Sequence, residues 1–178
     1  MLSQFSDTAG RPTLADLNHR FPVTHYPIGR LDMDSEGLLL IASHRSFVHR
    51  LLHPDYAHER EYLAQVEGIP DPASLDAFRK GIQLSDWKTR PSFAESIPSP
   101  DWLWPRQPPV RYRKTVPDSW IRLILTEGKN RQVRRMTAAV GFPTLRLIRI
   151  RIGPVQLDSL QPGDCRRLTA SERSYFLS

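Results

Sequence analysis

Between Gly29 and Gly37 the chain carries Arg30, Asp32, Asp34, Ser35 and Glu36, and the apolar run Leu38, Leu39, Leu40, Ile41 follows at once. Three carboxylic acids, a guanidinium and a hydroxyl in one short loop can do acid–base or electrostatic chemistry, provided something rigid holds them. An apolar strand directly behind the loop is such a support, and it would place these groups at the rim of a core. The same residues also suit a tight turn, with Asp34 and Ser35 bonding the backbone and Arg30 pairing with an acid. Taken alone, the segment is evenly balanced between the two readings.

A second group with chemical potential lies far along the chain. The spacing after Glu127-Gly128-Lys129-Asn130 predicts a helix over Arg131 to Val140, capped by Asn130 and ended by Gly141 and Pro143. At 100° per residue Arg131, Arg134 and Arg135 share one face, while Val133, Met136 and Val140 share the opposite one. Guanidinium groups presented in this way suit a phosphate backbone or a buried carboxylate. His49 and His53 stand four apart, but no HExxH glutamate or third ligand accompanies them, so surface histidines are expected rather than a metal site.

The elements that must position these groups read as follows. Residues 1–28 are irregular, with a short helix near Leu14 to Leu17. A strand is expected at Leu38 to Ala42, then a helix capped by Ser43, burying Phe47, Val48, Leu51 and Leu52 and ended by Pro54. Glu61 to Glu67 alternates as a strand. Asp71-Pro72 opens a helix with Leu75 and Phe78 inward, and Gly81 closes it. Trp120 to Thr126 is a further strand, as is the segment in which Ile148, Ile150 and Ile152 face one way and Arg149 and Arg151 the other. Strands do not alternate strictly with helices, so the expected class is α+β, with a mixed, mainly antiparallel central sheet flanked by helices and loops.

The chain has 178 residues, enough for one domain with two lobes and a real core. Its net charge of +6 is concentrated: Lys129, Arg131, Arg134, Arg135, Arg146, Arg149 and Arg151 face only Glu127, and the remainder is neutral. Such a patch is the footprint of a polyanion partner, nucleic acid being the commonest, against the plainer reading of a solvated basic face. From Ser96 to Pro117 six prolines accompany Trp102, Trp104, Arg106, Arg111, Tyr112, Arg113 and Lys114, a loop composition suited to stacking on bases and touching phosphates, or to pinning the loop on its tryptophans. The lone Cys165 excludes an internal disulfide and fits a reducing cytoplasm. Neither a signal peptide nor a membrane-length apolar run is expected.

GRLDMDSEGLLL resembles the catalytic motif of the RNA pseudouridine synthases of the RsuA-like branch, and EGKNRQVRRM with GFPTLRLIR resembles that branch's C-terminal motif. DWLWPRQPPVRYRKTVPDSW is similar to members acting on large-subunit rRNA. The likeness runs from about Phe5 to Arg167, nearly the whole chain.

The resemblance implies a catalytic fold with a central RNA-binding cleft, Asp32 as catalytic aspartate, Tyr62 packing on the target base, Arg134 pairing with Asp32, and Arg30 helping to hold the duplex open. Around that site Arg111, Arg113, Lys114, Lys129, Arg131, Arg135, Arg149 and Arg151 would hold the RNA. No cofactor or metal is implied, and the expected partner is ribosomal RNA or an assembling large subunit, met by a cytoplasmic monomer. A glycosidase-like use of Asp34 and Glu36 runs against the family positions, which leave Asp34 as a turn-former. The small S4 domain usual in front of RsuA-like relatives is not expected here, and the family's opening strand with its Asn-Lys-Pro signature should precede Met1. The alternative is a non-catalytic rRNA-binding or ribosome-assembly factor on the same fold.

Overall fold

The computed structural model describes residues 1–110 and 115–177, without the side chain of Arg45. In chain order the strands are β1 (Tyr26–Ile28), β2 (Glu36–Gly37), β3 (Leu40–Ala42), β4 (Arg60–Glu67), β5 (Phe93–Ile97), β6 (Asp118–Leu125), β7 (Thr144–Ile152) and β8 (Val155–Gln156). The α-helices are α1 (Arg45–Leu52), α2 (Pro72–Lys80), α3 (Gln132–Ala139) and α4 (Ala170–Tyr175). One sheet runs β2-β7-β4-β6-β5 with β8 on β7, and β1 pairs separately with β3. Every pairing is antiparallel except the parallel one between β2 and β7, so the α+β class and mixed, mainly antiparallel sheet expected from sequence are present.

Alternation along β4 divides the core into two. Ala64 and Val66 point to a cluster with Ile121, Leu123, Leu147, Phe78 from α2 and Met136 from α3. Leu63 points to the other face, with Trp120, Ile148, Phe47 from α1 and Phe176 after α4. The α2 helix forms as its sequence dictates: Asp71 accepts the Ser74 N–H at 2.7 Å, Pro72 starts the first turn, and Leu75 and Phe78 are buried. Glycine is required at its end, because Gly81 has φ +82° and a Cβ there would meet the Thr89 carbonyl.

Four local expectations are corrected. The strand behind the motif is split: Glu36–Gly37 joins β7, and Leu40–Ala42 leaves to pair with β1. Gly37 makes that departure at φ +99°, with the Arg149 carbonyl 2.2 Å from where a Cβ would stand. Helix α1 starts after His44 rather than on a Ser43 cap, and Leu52 is 46% exposed at the end of the stripe. Helix α3 starts after Arg131, which sits at φ +49°; Asn130 gives no cap, and Gln132 Oε1 instead accepts the Lys129 N–H at 3.0 Å.

The fourth correction concerns β7. Its register against β4 skips Ile150 between Glu61↔Arg151 and Tyr62↔Arg149, and skips Leu145 between Gln65↔Arg146 and Val66↔Thr144. Each skip is a bulge, which resets the alternation. Directly opposed residues share a sheet face, so Arg149 lies on the side of Tyr62 and Arg151 on the opposite side with Glu61. The two arginines therefore do not share the outward face that strict alternation predicts.

Candidate active site

The motif loop closes as a turn in which the Ser35 N–H donates to the Asp32 carbonyl at 2.9 Å. Its outer carbonyl, that of Asp34, accepts Arg134 Nη2 at 2.7 Å and Arg106 Nη2 at 3.4 Å. Arg134 comes from α3 and also donates to the Thr144 carbonyl at 3.2 Å and to Ser35 Oγ at 3.4 Å. Arg106 comes from the proline-rich loop. The turn is thus held from two sides by side chains far away in sequence, which fixes where its acids point.

Those acids differ sharply. Arg131 forks Asp34 with two bonds of 3.0 Å, and this hydrogen bonding, reinforced by Arg134, lowers the Asp34 carboxyl below its ordinary value. The same contact raises Arg131. Asp32 accepts no hydrogen bond from any described side chain; Arg131 Nη1 stands 3.7 Å and Arg134 Nε 4.0 Å from its Oδ2. Arg134 Nε is buried without a hydrogen-bond partner and lies 3.4 Å from Asp34 Oδ2. Burial lowers the Arg134 guanidinium, which nevertheless stays charged at any ordinary pH. Asp32 therefore faces two cations, with no acceptor lone pair committed to a described residue.

Behind the turn, Glu36 ties the proline-rich loop to the sheet. Its carboxylate accepts Trp104 Nε1 at 2.7 Å and Arg146 Nε and Nη2 at 2.9 Å each, with Arg106 Nε 3.3 Å away. Arg146 also donates to the Trp104 carbonyl at 3.0 Å. Trp104 pins the loop, whereas Trp102 is 49% exposed.

Tyr62 is brought near the turn by register: Gly37, Arg149 and Tyr62 lie in one row across β2, β7 and β4. Two strand spacings separate the ends of that row, roughly 10 Å between backbones, within reach of one nucleotide. Tyr62 is half-buried against the core on that face.

The other basic residues scatter. Arg30 is exposed beside the turn. Arg149 is buried, and its guanidinium gives both Nε and Nη2 to the Leu38 carbonyl, so it braces the chain instead of facing RNA. Arg151 binds Glu61 at 2.6 Å and Glu59 at 2.9 Å on the far side of the sheet. Lys129 and Arg135 both lie over the Trp87 ring, and Arg135 also pairs with Asp86. Arg111, Arg113 and Lys114 fall outside the described residues. Sequence reasoning named Arg106 and Trp104 only as residues of the proline-rich loop and missed their contacts with the turn and with Glu36 and Arg146; Arg146 was visible only as one charge in a basic run.

Among the described residues no group of three or more His, Cys, Asp or Glu is placed to hold a metal ion, and no helix is long and apolar enough to cross a membrane.

The RNA pseudouridylate synthase family model matches residues 4–139. The chain belongs to that family. It is therefore an RNA pseudouridine synthase, an isomerase. This synthase is 51% identical over 168 residues to the ribosomal large subunit pseudouridine synthase E of Xanthomonas campestris pv. campestris, spanning 93% of its own chain and 89% of the relative. It is 46% identical over 169 residues to the protein of the same name from Vibrio vulnificus, spanning 94% of its chain and 70% of that relative. A crystal structure of a pseudouridylate synthase superposes with TM-score 0.77 at 29% identity, over 93% of this chain and 65% of that one. A chain of an H/ACA ribonucleoprotein bound to substrate RNA shares the synthase fold at TM-score 0.52 and 18% identity.

Proposed function

We propose that this synthase isomerises a uridine of large-subunit ribosomal RNA to pseudouridine, with Asp32 at the reacting bond. The observation that carries the reading is the Asp32 carboxylate: two guanidinium groups stand within 4.0 Å of it, and none of the described side chains donates a hydrogen bond to its oxygens. The reaction breaks the bond between ribose C1′ and uracil N1 and makes one between C1′ and C5. The C5 proton leaves and N1 gains one, so nothing is consumed and no redox partner is needed.

A base inside a stacked helix cannot turn over, so the nucleotide is flipped out. Tyr62, on the register row that starts beside the turn, gives the flipped ring a face to lie on. Arg134 holds the turn by its backbone and sets a positive charge 4.0 Å from Asp32, two roles a single lysine could not fill together. Arg30, Arg131 and Lys129 are exposed, and we assign them to the phosphates. The relatives named for the large subunit, similar over nearly the whole chain, supply the choice of RNA.

The test is incubation with large-subunit rRNA fragments, reading pseudouridine by mass spectrometry and by chemical stop mapping. Pseudouridine that disappears in Asp32→Asn is expected. Release of free uracil, or binding without product, would overturn the proposal.

A further inference from the structure

The sheet face that carries Glu36 also holds a groove of about 590 Å³ beneath the proline-rich loop. None of the turn residues 32–35 lines it, while Trp104 and Arg146, which do, both bond Glu36. Trp104, Leu103 and the edge of the buried Trp120 are its main apolar lining, and Gln65, Asp118 and Arg146 are its principal polar residues. The volume lies within the range of roughly 300–1,000 Å³ that holds compact ligands.

The polar groups select what can enter. Among the described residues Arg146 is the groove's cation, and its guanidinium already binds Glu36 twice and the Trp104 carbonyl once. Gln65 Nε2 donates to Asp118 Oδ2 at 2.6 Å, leaving Gln65 Oε1 and Asp118 Oδ1 with no donor from any described residue. Asp118 is exposed, at the start of β6. A groove with a committed cation and open acceptors repels phosphate and welcomes a flat neutral ring bearing N–H groups. Among nucleobases, guanine offers two adjacent N–H donors on one edge, which a carboxylate accepts in parallel. Uracil offers one N–H between two carbonyls and suits the site poorly.

We infer that this groove is a second nucleobase site, taking an unpaired guanine of the RNA against Trp104 with its Watson–Crick edge on Asp118. The inference rests on the reading that RNA is the substrate. It also gives the proline-rich loop a role: an occupant stacked on Trp104 braces the indole that donates to Glu36, two residues from Asp34. Substrate choice would then be set in part by a base other than the one that reacts.

The test uses the full chain and the indole resonances of Trp104 and Trp120. Guanosine 5′-monophosphate, uridine 5′-monophosphate and inorganic phosphate are titrated separately, against wild type and Asp118→Asn. Asp118→Asn keeps shape and polarity at an exposed position, and its amide spectrum checks that it folds. Saturable shifts of both indoles with the guanine nucleotide are expected, weaker by about tenfold in Asp118→Asn and with the uracil nucleotide, and absent with phosphate. Equal response to both nucleotides, response to phosphate, identical binding by the variant, or no response at all would each overturn the site. Pseudouridine formation on rRNA fragments, measured on the same preparation, tells failure of this site apart from failure of the RNA reading.

Discussion

Arg131 forks the carboxylate of Asp34 at 3.0 Å and stands 3.7 Å from Asp32, so its direct hydrogen bonds go to the acid beside the candidate catalyst. This separates the two acids experimentally. Asp34 is 41% exposed on its side chain, and its turn is held through its backbone carbonyl by Arg134 and Arg106. Asp34→Asn leaves those bonds in place and removes two solvent-screened pairs, with Arg131 at 3.0 Å and Arg134 at 3.4 Å, a change of about 1 kcal/mol each or less. Its pseudouridine formation is expected to stay within about tenfold of wild type, while Asp32→Asn shows none. Activity lost equally in both would transfer the catalytic assignment to the pair.

Much of this site was legible in the sequence. The loop, the arginine helix and the strand with Tyr62 each carry a local signature, in the turn residues, the 3.6-residue period and the two-residue period respectively. What could not be read is where long side chains end. Arg134 and Arg135 are neighbours on one helix, yet the first clamps the Asp34 turn and the second goes to Trp87 and Asp86. Arg149 and Arg151 are separated by a bulge that only the pairing with β4 reveals. No local pattern states that Glu36 and Arg146 meet, because their contact depends on a parallel pairing closed late in the chain.

That contact gives a stability prediction. Arg146 and Glu36 have side chains 8% and 18% exposed. Glu36→Gln strands a buried guanidinium and is expected to lower unfolding stability by about 3–5 kcal/mol, measured by urea denaturation. Replacing both partners, Glu36→Gln with Arg146→Met, removes the stranded charge and should recover part of the loss. A double variant no more stable than Glu36→Gln would show that the loop, and not the charge, is what Glu36 supports.

A second ion pair predicts a pH dependence remote from the site. Glu172 accepts both Arg166 amines, at 2.7 and 2.9 Å, and the Thr169 N–H at 2.7 Å. The Arg166 bonds, chiefly, lower its carboxyl from an ordinary 4.5 to about 2. A carboxyl depressed in the folded state stabilises it fully above its unfolded value and loses that contribution as pH falls through the folded value. Melting temperature should therefore fall between about pH 4.5 and pH 2, partly through this group. Glu172→Gln lacks the contribution, about 1–2 kcal/mol at neutral pH with Arg166 partly open to solvent. The gap between wild type and variant closes as pH drops; a constant gap would refute the assignment.

The dispersal of the arginines makes the RNA surface testable through salt. Each phosphate contact adds about 0.7–0.9 to the slope of log affinity against log salt. Arg30 is exposed beside the turn, and Lys129 is exposed where it lies over Trp87. Arg30→Ala and Lys129→Ala are expected to flatten the slope by that amount each, in anisotropy titrations of a labelled large-subunit rRNA fragment. Arg151 is a control drawn from the same basic run. It lies on the sheet face opposite Tyr62 and is engaged by Glu59 and Glu61, so Arg151→Ala should lower stability and leave the slope unchanged. If Arg151→Ala flattens the slope as much as Arg30→Ala, RNA reaches the far face of the sheet and the cleft is not confined to the side of Asp32.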